Sequence, residues 1–322
     1  DTSITITPCH RDFADRLKPT APQLIITLAS PMTISGHAFN DLDGDGTWDQ
    51  GEPALEGWTI NLAGPVSKTT TSDSAGYYEF TDLTPGTYKI SEVLQDRWIQ
   101  TEPAPPGTYY VSLTSGSVTD KDFGNFKVVT ITADKFDDVN GNGKMDGGEP
   151  EIKGWKLTLH YPDGLTTEMK VSPAEWVVNK SGVYTITEEP QEGWIPTTKS
   201  SMEADVKSGS TPSTIWFGNF KEATVVVYKY EDADGNLATT DDWKAIDWPI
   251  TLTNSSGTFT DSTGMAGRAF SGQGPGSFAV TEADDPAWVS LNGSSWSGKM
   301  ESGGKYVVKF VNFKLVTITA GK

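Results

Sequence analysis

Asp41-Leu42-Asp43-Gly44-Asp45-Gly46-Thr47-Trp48-Asp49-Gln50-Gly51-Glu52 is a twelve-residue acidic stretch with the spacing D-x-[DN]-x-[DN]-G-x5-E of a calcium loop. Asp138-Val139-Asn140-Gly141-Asn142-Gly143-Lys144-Met145-Asp146-Gly147-Gly148-Glu149 repeats the spacing. Calcium is a hard cation that takes roughly six to eight oxygens. The first loop offers Asp41, Asp43, Asp45, the Thr47 carbonyl, Asp49 and Glu52 around Gly46. The second offers Asp138, Asn140, Asn142, the Lys144 carbonyl, Asp146 and Glu149 around Gly143. Five of the first set are carboxylates and three of the second, so the first is expected to bind more tightly. A third, degenerate copy keeps Asp232, Asp234 and Asn236 but has Leu237 in place of the glycine and Trp243 in place of the glutamate; Asp241 or Asp242 is available to compensate. In an EF-hand, helices flank such a loop. Here β-type sequence and Glu-Pro flank it, so the loop is grafted between strands and fixes a connection instead of opening a helix pair.

Working outward, four markers recur in one order. Gly57-Trp58-Thr59-Ile60 returns as Gly154-Trp155-Lys156-Leu157 and as Asp247-Trp248-Pro249-Ile250. Tyr88-Lys89-Ile90-Ser91-Glu92 returns at Tyr184–Glu188 and Phe278–Glu282. Arg97-Trp98-Ile99 returns as Gly193-Trp194-Ile195 and Ala287-Trp288-Val289. Phe123-Gly124-Asn125-Phe126 returns at Phe217–Phe220 and Phe310–Phe313. These define three modules of about 95 residues, at 32–127, 128–221 and 222–314. Short runs of period two, such as Trp58–Leu62 and Tyr109–Leu113, alternate with turn formers such as Asp73-Ser-Ala-Gly76 and Pro105-Pro-Gly107. The expectation is all-β: tandem prealbumin- or immunoglobulin-like sandwiches of about seven strands, with calcium loops after the first strand. Residues 1–31 fit no repeat and form an N-terminal extension, a candidate assembly segment. Val316-Thr-Ile-Thr-Ala320 duplicates Val129-Thr-Ile-Thr-Ala133, which makes 315–322 an orphan C-terminal strand.

Composition bounds the function. The 322 residues carry a formal charge of −18, from 25 Lys+Arg against 43 Asp+Glu. That argues against nucleic acid and anionic membrane surfaces as partners, and favours bound divalent cations. No run is long and apolar enough to cross a bilayer, and no signal peptide is visible, as expected of a processed secreted chain. The single cysteine, Cys9, excludes a disulfide framework; an idle thiol or a cross-link between subunits is its expected role. His10, His37 and His160 show no metal spacing, and no nucleophile elbow, phosphate loop or histidine dyad occurs. No catalytic residue is assigned.

The strings Ile34-Ser-Gly-His-Ala-Phe-Asn-Asp-Leu-Asp-Gly-Asp-Gly46, Gly51-Glu-Pro53, Leu83-Thr-Pro-Gly-Thr-Tyr88 and Phe123-Gly-Asn125 resemble the B-type domains of serine-aspartate-repeat surface adhesins. Ile186-Thr-Glu-Glu-Pro-Gln-Glu-Gly-Trp194 is similar to the related collagen-adhesin B-type domains of Gram-positive pili and stalks. The resemblance covers about residues 32–314. It implies calcium-stiffened sandwiches strung into extracellular, cell-surface stalks. It also implies a chemistry: some collagen-adhesin B-type domains join a first-strand Lys to a last-strand Asn, assisted by a buried acid. The matching positions are Lys135, Glu188 and Asn219 in the second module and Lys229, Glu282 and Asn312 in the third. The first has Glu92 and Asn125 but Ala38 in place of the lysine. Lys322 lies in the same phase of the orphan strand as Lys135, so Lys322 of one copy with Glu92 and Asn125 of the next is the candidate intersubunit set.

The sequence therefore reads as a non-enzymatic structural protein, a calcium-stiffened rod serving in a surface filament, sheath or stalk and forming a homopolymer through terminal strands. The alternative is an adhesin or carbohydrate-binding module taking a glycan or host-surface ligand. For that reading Trp48, Trp176, Trp243 and Trp296 are the candidate platforms, because they lack clear counterparts in the other modules.

Overall fold

The computed structural model describes residues 31–318. Most of the N-terminal extension with Cys9, and Lys322, lie outside the described residues. Three groups of strands follow in sequence. The first comprises β1 (Met32–Asn40), β2 (Thr59–Ala63), β3 (Lys68–Thr71), β4 (Tyr77–Leu83), β5 (Gly86–Glu92), β6 (Trp98–Glu102), β7 (Tyr109–Leu113) and β8 (Phe123–Lys127). The second comprises β9 (Val129–Asp137), β10 (Lys156–His160), β11 (Thr167–Val171), β12 (Ala174–Val178), β13 (Gly182–Glu188), β14 (Trp194–Pro196), β15 (Ser201–Val206) and β16 (Ile215–Lys221). The third comprises β17 (Ala223–Glu231), β18 (Lys244–Ala245), β19 (Pro249–Asn254), β20 (Gly257–Ser262), β21 (Arg268–Gln273), β22 (Gly276–Glu282), β23 (Trp288–Ser290), β24 (Ser295–Met300) and β25 (Lys305–Lys314). The described residues are all-β; none is helical.

Each group makes two sheets. The orders are β4-β1-β8-β6 with β3-β2-β5-β7, β12-β9-β16-β14 with β11-β10-β13-β15, and β18-β17-β25-β23 (β21 also on β17) with β20-β19-β22-β24. The opening strand runs parallel to the closing one in all three: Ala38 opposite Phe123, Lys135 opposite Phe217, Lys229 opposite Phe310. Alternation sends one face inward. On β4, Tyr78 and Phe80 are buried while Tyr77 and Glu79 face out. Ile34, Tyr78 and Phe123 from one sheet meet Ile60, Tyr88 and Val111 from the other in one core, which makes this pair a sandwich. Val225 and Phe310 meet Leu252, Phe278 and Met300 in the third.

By contact density the chain forms two compact units. One runs up to Thr130 and takes in Val177–Gly182 and Asp205–Thr211; the other takes Ile131–Trp176, Val183–Ala204 and the residues from Pro212 on. After β25, residues 315–318 carry no strand assignment. The strand expected there has no ladder within the described chain.

Candidate functional site

The three acidic loops follow β1, β9 and β17, the opening strand of each group. In the first, Asp41 is fully buried; its Oδ1 accepts the Gly44 N–H at 2.6 Å and its Oδ2 the Gly46 N–H at 2.8 Å. Glu52 laces the loop shut, Oε1 accepting Leu42 N–H at 2.6 Å and Oε2 Asp49 N–H at 3.0 Å. The second loop repeats the frame. Asp138, also buried, takes Asn142 N–H at 3.0 Å and Gly143 N–H at 2.6 Å. Glu149 takes Val139 N–H at 2.9 Å and Asp146 N–H at 3.0 Å. Position six requires positive φ, 83° at Gly46 and 76° at Gly143, which a side chain disfavours. Asp41, Asp43 and Asp45 hold carboxylate oxygens within 4.8 Å of one another. Burial first, then neighbouring carboxylates, pushes the Asp43 and Glu52 carboxyls up despite their backbone hydrogen bonds. In the second loop, Asn140 and Asn142 donate to Asp146 Oδ2 at 2.8 and 2.6 Å and hold that carboxyl below its ordinary range. Such an oxygen-only donor set fits a hard divalent cation.

The third loop is built differently. Asp232, Asp234 and Asp242 bring carboxylate oxygens within 4.8 Å of one another. Asp242 Oδ2 accepts the Ala233 and Asp234 N–H groups, both at 3.1 Å, so Asp242 fills the lacing role of Glu52 and Glu149 one residue earlier. Asn236 Oδ1 accepts Ala238 N–H at 3.2 Å, as Asp45 Oδ1 accepts Thr47 N–H at 2.6 Å. Asp241 is exposed.

Loops one and two each receive a Ser-Gly turn. Within the first unit, Ser208 N–H donates to Leu42 O at 3.0 Å, and Ser208 Oγ donates to Asn40 Oδ1 and accepts from Lys127 N–H, both at 2.6 Å. Gly209 N–H donates to Lys127 O at 2.9 Å, and Ser181 Oγ to Asp43 O. Within the second unit, Ser302 N–H donates to Val139 O at 3.1 Å, Ser302 Oγ accepts Lys221 N–H at 2.7 Å, and Gly303 N–H donates to Lys221 O at 2.8 Å. The acceptor is the position-two carbonyl of the loop both times. Reading the sequence for ligands missed these serines and lysines. The available signal was Ser-Gly recurring at 115, 208 and 302, each time two residues after a buried apolar residue.

Buried lysines form the other candidate centres. Lys135 and Lys229 are buried and ion-paired to Glu188 and Glu282. Each ammonium sits over a tryptophan ring, Trp155 at 4.5 Å and Trp248 at 4.8 Å. Burial, outweighing the glutamate, lowers Lys135 to about 8 and lowers Lys229 as well. Asn219 and Asn312, on the adjacent parallel strands, are buried with Oδ1 unpartnered among the described residues. In the first group, Asn125 Nδ2 donates to Glu92 Oε2 at 2.8 Å, and burial raises Glu92 to about 7 against that bond. Ala38 stands where the lysine would be; Lys322 lies outside the described residues.

The recurring tryptophans pack against each other edge-on. Trp58–Trp98, Trp155–Trp194 and Trp248–Trp288 have centroids 5.2, 5.6 and 5.4 Å apart. Of the four suggested platforms, Trp176 is fully buried, because alternation on β12 directs it inward beside Ala174 and Val178. Trp48 and Trp296 are 38% and 39% exposed. Among the described residues no helix is long and apolar enough to cross a membrane.

Residues 32–105 match the SdrD B-like domain family. Serine-aspartate repeat-containing protein D of Staphylococcus aureus is 27% identical over 210 residues, 56% of this chain and 15% of that protein. Serine-aspartate repeat-containing protein F of Staphylococcus epidermidis is 25% identical over 210 residues, 57% of this chain and 12% of that one. The chain thus spans a small fraction of the length of these curated relatives. Among solved structures, BcpA, the major pilin subunit of Bacillus cereus, aligns over 89% of this chain and 100% of its own at 10% identity and a TM-score of 0.41, too loose a likeness to carry an argument.

Proposed function

Residues 32–105 being an SdrD B-like domain, we propose that this chain is a non-enzymatic, extracellular structural protein of the cell surface. Its modules, 32–127, 128–221 and 222–314, are β-sandwiches strung into a rod that serves a filament, sheath or stalk. Calcium in the loops at 41–52 and 138–149 stiffens the joints between them. The observation that carries this is the position-two carbonyl of each loop: Leu42 O and Val139 O each receive the Ser N–H of the following module. A cation that sets the loop thereby sets the joint. Limited proteolysis of the full chain with calcium and with chelator tests this. Chelation is expected to open cleavage near Lys127 and Lys221; unchanged cleavage would refute it.

Within the second and third modules the reading adds an internal cross-link. Transfer of the Lys135 ammonium proton to Glu188 within their ion pair gives the neutral amine; Lys135 Nζ then attacks Asn219 Cγ, whose carbonyl accepts a hydrogen bond from the proton on Glu188, a C–N bond forms and ammonia leaves. Lys229, Glu282 and Asn312 do the same. Low polarity around the buried lysines favours the neutral amine, which is half of what the step requires. Head-to-tail addition of the C-terminal strand to a neighbouring copy, with Lys322 reaching Asn125 beside Glu92, completes the reading as a homopolymer. Denaturing gels check the covalent part by the presence of a ladder.

The adhesin alternative has one observation in its favour: Tyr228 and Tyr230 stack at 6.2 Å and Tyr230 meets Trp243 at 5.5 Å on the outward side of β17. The same positions in the first module hold His37 and Phe39 under Trp48, at 4.9 and 5.6 Å. A row shared by two modules favours a packing role over a single glycan platform.

A further inference from the structure

Asp232 Oδ2 is buried without a partner among the described residues, and so is Asp242 Oδ1. Asp232 is 0% exposed, and its Oδ1 is taken by Asp234 N–H at 3.2 Å and Gly235 N–H at 2.8 Å. The position-six amide that completes this carboxylate in the other loops has no counterpart bond at Leu237. A buried carboxylate oxygen with no donor, beside two other carboxylates, needs a counter-ion. We infer that the third loop holds calcium through Asp232, Asp234 and Asp242, with Asp242 replacing the absent glutamate. Native mass spectrometry in calcium counts the ions, with circular dichroism confirming that each variant folds. Asp232→Asn and Asp242→Asn are each expected to lose one ion relative to the parent, and Asp241→Asn none. An unchanged count in either of the first two, or a loss in the third, overturns the assignment.

Discussion

The buried acids and lysines set the chemistry at the scale of single residues. Glu92 is an acid whose folded pKa, about 7, lies above the ordinary 4.5 because burial disfavours its charge. The folded state therefore holds the proton more tightly. Its stability is greatest below about pH 4.5, falls as pH rises from there to about 7, and is flat beyond, a total of about 3 kcal/mol. Glu92→Gln should remove that slope; comparing urea unfolding of the two proteins at pH 4.5 and 8 in saturating calcium measures it. Lys135 and Lys229 make a sharper prediction. Intact-mass measurement of the unfolded chain should fall short of the sequence mass by one ammonia per bond formed, and Lys135→Met should restore one of them. A full sequence mass would show that the lysines stay ion-paired and unreacted.

At the scale of the element, the loop and the tryptophan pair each unite neighbouring strands. The first loop has five carboxylates among its ligand positions and the second three, and carboxylates at these distances repel until a cation arrives. Calcium titration of Asp41→Asn and Asp138→Asn proteins, each keeping one of the first two loops beside an unaltered third, should show tighter binding in the chain that keeps the first. Trp155 is 2% exposed, packs edge-on to Trp194 and covers the Lys135 ammonium. Trp155→Ala should cost about 3–5 kcal/mol by chemical denaturation.

For the molecule as a whole, the proposed modular reading makes the Ser-Gly turns the contacts through which loop order would reach the next module. Ser208 Oγ serves Asn40 and Lys127 at once. Ser208→Ala should weaken that joint by about 1–2 kcal/mol and let calcium-loaded protein be cleaved near Lys127, while the core of each sandwich unfolds as before.

Loops, strands and repeats were legible because each is a local pattern: acidic and glycine spacing marks a loop, period two marks a strand, and recurring markers in one order mark a repeat. Asp41 and Asp138 could be named from sequence alone, as could the lysine at the matching strand position of each later module. The joint could not. Ser208 lies 168 residues from Asn40 and 81 from Lys127, and serine beside glycine on its own reads only as a turn. Nor could sequence choose Asp242 over Asp241, since that depends on which carboxylate reaches the Ala233 amide. Trp176 was misread because it has no repeat partner; its inward direction comes from the pleat of β12. Local chemistry along the chain thus determined the elements and the candidate ligands. Folding alone decided which distant main-chain groups meet, because hydrogen bonds between a loop and a turn far along the chain depend on where the strands end in space.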